Sequence, residues 1–480
     1  MIGGQIKMKR FIALMLALLC CVGLMTSCGK NEIEDDASTT PVNGADNTTA
    51  NTTAATTTNG NSPEGDPIRD PALPDIFQYG DDVLNYINAT DETGREAGLP
   101  DNFEFTPVSY DNRIMEGTYT KVSAIDSKYV SKTADGVTYL KYSTPQLELA
   151  GIKDPAQNGG EFYRLDVSKR SSYISNNVFV EKSLPSNLAC HTSGVTLRFR
   201  TNAPEITINA TLRNGNLNWQ HMTVRNVTGF DVYVGSGTDR TYYCGKGQVV
   251  AGASMVKDTI KLTGDYVEVL IMFPLYGGIS DISIGFPSTS EIAAPLARDH
   301  KPVVFYGSSI THGCSASRPG LNYTNIVCRM LNVDCINQGY SSGANLEQEM
   351  ADYIASLDMS AFVMDNDGNG SVDTLNKYHY SFYKTIRDAH PDIPIILVTR
   401  PVYSETNMST FQQRQNIIKS TYNRAVREGD KNIYFINGYD FFPVKGIADV
   451  YAIDHNHPND TGMYYMAMMV YQELNKALNG

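Results

Sequence analysis

Short apolar runs alternate with helical stretches from Pro302 to the end of the chain. The apolar runs are Val303–Tyr306, Val333–Ile336, Phe362–Met364, Ile393–Val398 and Ile433–Ile436. The helical stretches are Tyr323–Leu331, Leu346–Leu357, Thr374–Ala389, Thr410–Arg427 and Gly462–Leu478. Strands that are buried on both faces and joined by helical crossovers form parallel sheets. The alternation predicts a doubly wound, parallel α/β sheet over residues 296–480, with ligands bound at the carboxyl ends of its strands.

A different rhythm precedes this domain. Between residues 146 and 295, apolar and polar residues alternate with a period of two, as in half-buried strands. The clearest segments are Val195–Arg200, Ile206–Leu212, Gly229–Val234 and Val267–Phe273. Short strands at this spacing predict a β-sandwich domain in front of the α/β domain. Residues 76–145 give a weak signal and are interpreted as an irregular lead-in, in which Val137–Tyr142 looks extended.

Residues 1–27 have the pattern of an export signal. Three basic residues precede an apolar run, Phe11–Met25, that is too short to cross a bilayer comfortably. A Thr-Ser pair then leads into Cys28, as in a bacterial lipoprotein signal, so we expect a lipidated Cys28 that anchors the exported chain to a membrane, facing outside the cytoplasm. The alternative is ordinary cleavage near Ser27, which also exports the chain. Residues 28–75 are rich in Thr and poor in large apolar residues, which predicts a flexible linker.

The net charge excludes one class of partner. It is −13, and the three basic residues are the only charges before Cys28, so the remainder carries about −16. An acidic chain of this kind is not expected to bind nucleic acid.

Outside the signal and Cys28, five cysteines remain, which are Cys190, Cys244, Cys314, Cys328 and Cys335. The number is odd, so at least one thiol is unpaired, and their pairing stays open. None has metal-ligand spacing to a histidine, so we expect buried apolar cysteines, no metal and no cofactor.

Two distant loops carry residues that suit nucleophilic catalysis. Tyr306–Gly313 follows the first strand of the α/β domain and places Ser309 on a sharp strand-to-helix turn. Near the C-terminus, Asp454 precedes His457 by three residues on one loop, so it can orient the imidazole toward a serine. Ser309 as a mere helix cap is the alternative. His455 competes as the base but lacks the spacing to Asp454.

These blocks resemble the SGNH (GDSL-like) hydrolase superfamily, in the branch whose esterase domain follows a sandwich with a Gly-Phe-Asp-Leu-Tyr-like strand. The resemblance covers residues 146–480 and rests on Gly307–Ile310, Asn337–Gly343, Asp365–Asn369, Asp454 with His457, Gly229–Tyr233 and Trp219–Met222. It implies a flavodoxin-like α/β fold, with Ser309 as nucleophile, His457 as base and Asp454 as its orienting acid.

The resemblance also implies an oxyanion hole. Its donors would be the Ser309 N–H, a backbone N–H of the second block and the Asn369 side-chain amide. The register from Asn337 puts Ser342 where the family has glycine, with Gly343 next, so either N–H is a candidate. The alternative role for Asn369 is termination of a turn, given its flanking glycines.

Other residues near the blocks are weaker candidates. His312 and Arg318 follow the nucleophile and are candidates for the substrate cleft, the alternative being rim positions. Trp219, His221 and Tyr340 are candidates for contact with a sugar, the alternative being core packing.

We therefore expect an exported serine esterase that works through an acyl-enzyme. Short acyl groups on carbohydrate, acetate first, are the favoured substrates, because no long apolar segment near the blocks predicts a lid or acyl-chain tunnel. The alternatives are a lipase-like acylhydrolase and a non-catalytic surface carbohydrate-binding protein with a degenerate hydrolase domain.

Overall fold

The computed structural model describes residues 112–169, 188–215, 220–243, 251–401, 408–442, 448–454 and 456–479. The predicted signal, the linker, Cys28, Trp219, Cys244 and His455 lie outside these residues. The strands, numbered in chain order, are β1 Thr120–Lys121, β2 Val130–Ala134, β3 Val137–Lys141, β4 Glu148–Ala150, β5 Thr196–Thr201, β6 Glu205–Leu212, β7 Asp231–Ser236, β8 Asp239–Tyr243, β9 Met255–Lys261, β10 Val267–Met272, β11 Ile279–Pro287, β12 Glu291–Ala293, β13 Val303–Gly307, β14 Cys335–Gly339, β15 Ala361–Asp365, β16 Ile395–Val398 and β17 Ile433–Ile436.

The helices of the described residues are α1 Val224–Thr228, α2 Ser309–His312, α3 Tyr323–Leu331, α4 Gln348–Ala355, α5 Val372–Ala389, α6 Met408–Arg427, α7 Ala448–Tyr451 and α8 Asp460–Asn479. In this part of the chain, no helix is both long enough and apolar enough to cross a membrane.

Two antiparallel sheets form the sandwich. The first has the order β1-β12-β5-β10-β7-β8, with β4 also paired to β5, and the second has the order β2-β3-β11-β6-β9. The period-two pattern sends one side chain in two toward the space between the sheets. That space is filled by fully buried residues such as Leu197, Phe199, Ile208 and Ile284.

The sandwich begins before the predicted boundary at residue 146, so the interpretation of residues 76–145 as irregular is wrong for their C-terminal part. Strands β2 and β3 form a hairpin, and β3 pairs with β11 from Ser283↔Lys141 to Pro287↔Val137. The signal was weak because β2 is an edge strand that has no buried side chain and therefore lacks the alternation that marks a half-buried strand.

The other face of the first sheet is also covered, by the α/β domain. Polar residues that alternate with the core residues on β5 and β10, such as Arg198 and Glu268, are buried. Glu268 accepts from Arg240 at 2.8 Å, and Arg240 reaches Asn332 at the end of α3 at 3.3 Å. The outward face of this sheet is therefore an interface between the two domains.

The α/β domain has one parallel sheet of order β14-β13-β15-β16-β17. This is the 2-1-3-4-5 order of flavodoxin-like folds, in which the strand order reverses next to the first strand and opens a crevice there. The predictions of a doubly wound parallel sheet and of a preceding β-sandwich are confirmed. The loops after β13, β14 and β15 meet at the crevice.

Candidate active site

The turn between β13 and α2 presents the Ser309 side chain. Gly307 ends the strand, and a Cβ there would lie 2.0 Å from Thr311 Oγ1 and 2.2 Å from the Asp365 carbonyl, so only glycine fits. Ser308 caps α2, because its Oγ accepts from the Ile310 N–H at 3.2 Å. The cap is therefore Ser308, and the half-buried Ser309 hydroxyl is left for another partner.

That partner is His457. Ser309 Oγ lies 2.9 Å from His457 Nε2, and His457 Nδ1 lies 2.8 Å from Asp454 Oδ2. Because Asp454 accepts from Nδ1–H, Nε2 carries the lone pair that faces the serine. The structure thus brings together three side chains from two loops, and Ser309 and His457 are 148 residues apart in sequence.

The base loop is held by its own backbone. The His457 N–H donates to Asp454 Oδ1 at 2.7 Å, and Ala452 and Pro458 form an isolated bridge. Burial raises the pKa of Asp454, but hydrogen bonds from the His457 ring and backbone outweigh burial and place it below its usual value. Asp454 is therefore ionised at neutral pH, in the form that stabilises an imidazolium.

The candidate oxyanion donors surround the same turn. Ser342 has φ +57°, in the left-handed region that favours glycine, which explains why its position corresponds to a family glycine. The Gly343 N–H donates to the Tyr340 carbonyl at 3.0 Å. Because the Gly343 N–H is engaged in this turn, the geometry favours the Ser342 N–H over it as a donor.

Asn369 comes from the loop after β15 and is 8% exposed. Its Nδ2 donates to the Tyr340 carbonyl at 2.9 Å, which uses one of the two N–H bonds of the amide. The preceding Gly368 packs so closely on the nucleophile turn that a Cβ there would lie 2.8 Å from Ser308 Oγ. This packing places the Asn369 loop directly beside the Ser309 turn.

Asp365, to which the sequence motifs give no role of its own, and Arg414 support these loops. Asp365 Oδ2 accepts from Thr311 Oγ1 and from the Tyr323 hydroxyl, each at 2.9 Å, and burial raises the pKa of Asp365 to about 7. Arg414, on α6, donates to Asp367 Oδ1 at 2.7 Å and to the Asn369 carbonyl at 2.6 Å. Arg414 lies in no motif, so no sequence signal pointed to it.

The sandwich domain supports the site from the other side. The Tyr276 hydroxyl lies 2.6 Å from Ser341 Oγ and donates to the Ser309 carbonyl at 3.4 Å. The Asn226 amide donates to the carbonyls of Gly313 and Ala316, each at 2.8 Å. These bonds hold the nucleophile segment and the second block to the sandwich.

Arg318 is a candidate for the substrate cleft on sequence grounds, but the structure pairs it with the sandwich domain. Its guanidinium donates to Asp231 Oδ2 at 2.6 Å and to the Tyr233 hydroxyl at 2.9 Å. Asp231, which is 0% exposed, also accepts from the Gly320 N–H at 2.7 Å. Arg318 therefore joins the two domains, and the acidic residue of the Gly-Phe-Asp-Val-Tyr strand is its partner.

His312 is the other candidate for the cleft, with the rim as the alternative, and its burial shows that both positions are wrong. It is 0% exposed, its ring stacks on Tyr276 with centroids 3.9 Å apart, and its Nε2 lies 3.2 Å from both His191 Nδ1 and the Leu275 carbonyl. Burial, with Arg164 and His191 nearby, holds its pKa well below the usual range. The His312 side chain is buried because the sandwich domain covers the side of α2 on which it lies.

Tyr340 and His221, two of the candidates for sugar contact, lie in different environments. Tyr340 is fully buried, with the Arg164 guanidinium 4.4 Å from its ring centroid, so core packing applies to it. His221 instead lies against the base: its ring is parallel to that of His457 within 2°, with centroids 5.1 Å apart. Burial and His457 lower the pKa of His221.

The side chains of Cys190, Cys314, Cys328 and Cys335 are buried, in line with their predicted apolar role. Burial raises the pKa of Cys314 to about 12.

Two family models match the chain, one for each domain. Residues 300–475 match the GDSL-like lipase/acylhydrolase family, and residues 137–292 match GxDLY, the N-terminus of SGNH-hydrolase-type esterases. The second match begins at the first residue of β3. A search of curated proteins found no match.

Solved structures share the two-domain fold. A crystal structure from Bacteroides ovatus, described as a GDSL-like lipase, is 25% identical, with a TM-score of 0.61 over 72% of this chain and 98% of that one. A salicylyl-acyltransferase, SsfX3, from a tetracycline biosynthetic pathway is 16% identical, with a TM-score of 0.57 over 72% of this chain and 98% of that one. The second likeness shows the fold alone.

Proposed function

Because residues 300–475 match the GDSL-like lipase/acylhydrolase family and residues 137–292 match the GxDLY-type domain of SGNH esterases, we propose that this chain hydrolyses carboxylic esters through an acyl-enzyme on Ser309. The family resemblance seen in the sequence blocks is confirmed, and with it the expectation of an enzyme. The alternative of a degenerate, non-catalytic hydrolase domain loses its support.

In the first half-reaction, Ser309 Oγ attacks the ester carbonyl while His457 Nε2 takes the hydroxyl proton. Asp454 stabilises the imidazolium that forms, since it already accepts from Nδ1–H at 2.8 Å. The negative oxygen of the tetrahedral intermediate is held by the N–H groups of Ser309 and Ser342 and by the Asn369 amide. His457 then protonates the departing alkoxide.

In the second half-reaction, water takes the place of the alcohol. His457 accepts a proton from the water as it attacks the acyl carbonyl. When the tetrahedral intermediate collapses, His457 gives this proton to the departing Ser309 Oγ and the carboxylic acid is released. Each step uses only side chains and backbone groups of the described loops.

The unbroken hydrogen-bond chain Ser309–His457–Asp454 carries this proposal. Both of its distances lie within normal hydrogen-bond length, so the base is already within reach of the hydroxyl proton that it must abstract.

A fluorophosphonate probe tests the nucleophile. We expect Ser309→Ala to abolish both labelling and ester turnover. Ser308→Ala is the matched control, since it removes the adjacent hydroxyl and should keep labelling. Loss of the helix cap should lower the stability of this variant by about 1 kcal/mol. Substantial turnover by Ser309→Ala would refute the assignment.

We further propose that the natural ester is a short acyl group, acetate first, on carbohydrate. A cavity of about 210 Å³ lies beyond the ends of β16 and β17. It is lined by Asp367, Thr399, Arg400, Phe411, Gln412, Gln415, Asn437 and Tyr439. Arg400 also bonds Asn456, next to the base. Amide, charged and aromatic groups together suit the hydroxyls and ring faces of a sugar.

A chain-length series of nitrophenyl esters, run beside acetylated oligosaccharides, tests the substrate class through kcat/KM. A lipase gains about 0.8 kcal/mol for each methylene that it buries, so its activity would climb from acetate to octanoate. We expect no such climb, and we expect acetate release from at least one acetylated sugar. A steady climb without acetate release would favour the lipase-like alternative.

We also propose, from the sequence of residues 1–28, that the enzyme is exported and lipidated at Cys28. In detergent phase partitioning, the wild type should enter the detergent phase and Cys28→Ser should not. Recovery of the wild type wholly in the aqueous phase would contradict the anchor.

A further inference from the structure

Three metal-ligating side chains converge beside the reacting serine. One ligand atom from each of His221, Cys314 and His457 lies within 4.8 Å of the other two. They come from three separate segments, which are a turn of the sandwich domain, the loop after α2 and the base loop. Their positions in the sequence show no motif, so only the fold assembles them.

The donor set is two imidazole nitrogens and one sulfur. Zn²⁺ and similar soft or borderline cations prefer these ligands, whereas Mg²⁺ prefers oxygen. In a tetrahedral zinc site, ligand atoms lie about 3.5 Å apart, so no pair of the three atoms needs to approach by more than about 1.3 Å to bind one ion.

One ligand is already oriented. Asp454 accepts from His457 Nδ1 at 2.8 Å, which is the carboxylate–histidine pairing that fixes the ring of a zinc ligand and directs Nε2 to the metal. The parallel rings of His221 and His457 cannot both point lone pairs at one ion. Because Asp454 holds His457, the His221 ring is the one that must turn.

We propose that His221, Cys314 and His457 form an inhibitory site for a soft divalent cation such as Zn²⁺. On binding, the Cys314 S–H bond breaks, its proton passes to water and an S–metal bond forms. His457 Nε2 then donates its lone pair to the metal and can no longer accept the Ser309 proton. The inhibition rests on the proposed role of His457, but the site itself does not.

Metal binding is measured first, without substrate. Cd²⁺ added to the purified protein should produce the ultraviolet charge-transfer absorption of a Cd–thiolate bond, saturating at one ion per chain. The band should persist in Ser309→Ala, which keeps all three ligands, and be lost in Cys314→Ser. This arm stands even if ester hydrolysis proves not to be the function. Absence of the band from the wild type, or its persistence in Cys314→Ser, would overturn the site.

Inhibition is measured second, relative to the metal-free activity of each variant. Zn²⁺ should inhibit the wild type, EDTA should restore activity, and Mg²⁺ should have no effect. For His221→Gln and for Cys314→Ser, the Zn²⁺ concentration that gives half inhibition should rise by roughly tenfold or more. Cys328→Ser, which removes a buried thiol on α3 outside the cluster, is the matched control and should behave as the wild type. Equal inhibition of all four proteins would place the cation elsewhere and refute the proposal.

Discussion

Both domains contribute side chains to the region around Ser309, but these side chains differ in their exposure to solvent. In the α/β domain, the His457 and Asp454 side chains are 13% and 37% exposed. In the sandwich domain, Asp231, Tyr276 and His191 are 0% exposed. Groups that react must be reachable by substrate, whereas groups that hold a loop work best where water does not compete for their hydrogen bonds.

This difference gives the sandwich a role in the site. Its polar side chains bond the backbone and side chains of the segments that carry Ser309 and the second block. Changes in the α/β domain should therefore affect the chemistry, and changes in the sandwich should affect mainly stability and loop position.

The largest effect is expected at the base. His457→Ala should lower kcat by about 10⁴-fold or more, because among the described residues His457 is the base that lies within hydrogen-bond distance of Ser309 Oγ. His455→Ala, the matched control on the same loop, should lower it far less. The measurement is steady-state hydrolysis of a nitrophenyl ester, and the reverse ranking would identify His455 as the base.

Asp231→Ala tests the sandwich side. The Arg318 guanidinium would lose its buried carboxylate partner, so the free energy of unfolding should fall by about 3–5 kcal/mol. Asp126→Ala breaks an exposed pair with Lys128 and the hydrogen bond from the Lys128 N–H, and should lower the free energy of unfolding much less than Asp231→Ala does. Urea denaturation measures both, and similar midpoints for the two variants would mean that the Asp231 contact does not hold the domains.

Asn369→Ala probes the oxyanion hole. Loss of one preorganised donor should lower kcat by about 10²–10³-fold. If Asn369 only terminates a turn, the variant should lose stability and keep its kcat. Parallel measurement of kcat and of thermal unfolding distinguishes these two roles.

Acid should weaken the interface around His312. The pKa of His312 is held well below 6.5 in the folded protein, while that of an unfolded histidine is about 6.5. The unfolded chain therefore binds more protons below about pH 6.5, so stability is complete above this pH and falls as pH drops, by up to about 1.4 kcal/mol per pH unit.

His379, whose pKa burial lowers to about 3, adds a loss of the same sign. His312→Gln should remove only the His312 share, since glutamine keeps an N–H for the Leu275 carbonyl. Denaturation curves between about pH 7 and pH 5 measure the slope. An unchanged slope in His312→Gln would show that His312 is not the titrating group.

The smallest effect is expected for Tyr276→Phe. It removes the hydroxyl that bonds Ser341 and the Ser309 carbonyl but keeps the ring that stacks on His312. The loss should be about 1 kcal/mol, seen as an approximately fivefold lower kcat with little change in KM. A wild-type kcat would show that the sandwich does not position the nucleophile turn.

Local sequence predicted the features that depend on neighbouring residues. Ile433–Ile436 and Tyr323–Leu331 have the same bounds in the structure as in the prediction, because a buried strand and an amphipathic helix have their own periodicities. The Asp454–His457 contact also follows from spacing within one loop.

Other features depend on how the two domains pack against each other, which the local sequence pattern does not predict. Periodicity indicates which side chains of a strand point outward, but it does not indicate whether solvent or another domain lies there. Arg198 and Glu268 alternate with core residues, so the pattern predicts that they point outward. They are nevertheless buried, because the α/β domain covers that face of the sheet. His312 and Arg318, which were only candidates for the cleft on sequence grounds, lie in the same interface.

The choice between chemically equivalent groups was also made by the tertiary structure. Ser342 and Gly343 offer the same backbone N–H, and only the turn to Tyr340 engages one of them. His221 and His312 are both histidines, yet His221 lies against the base and His312 is buried where the nucleophile helix meets the sandwich domain. A residue type determines what a group can do, whereas the distances and burial that decide whether it does so arise only when distant segments pack together.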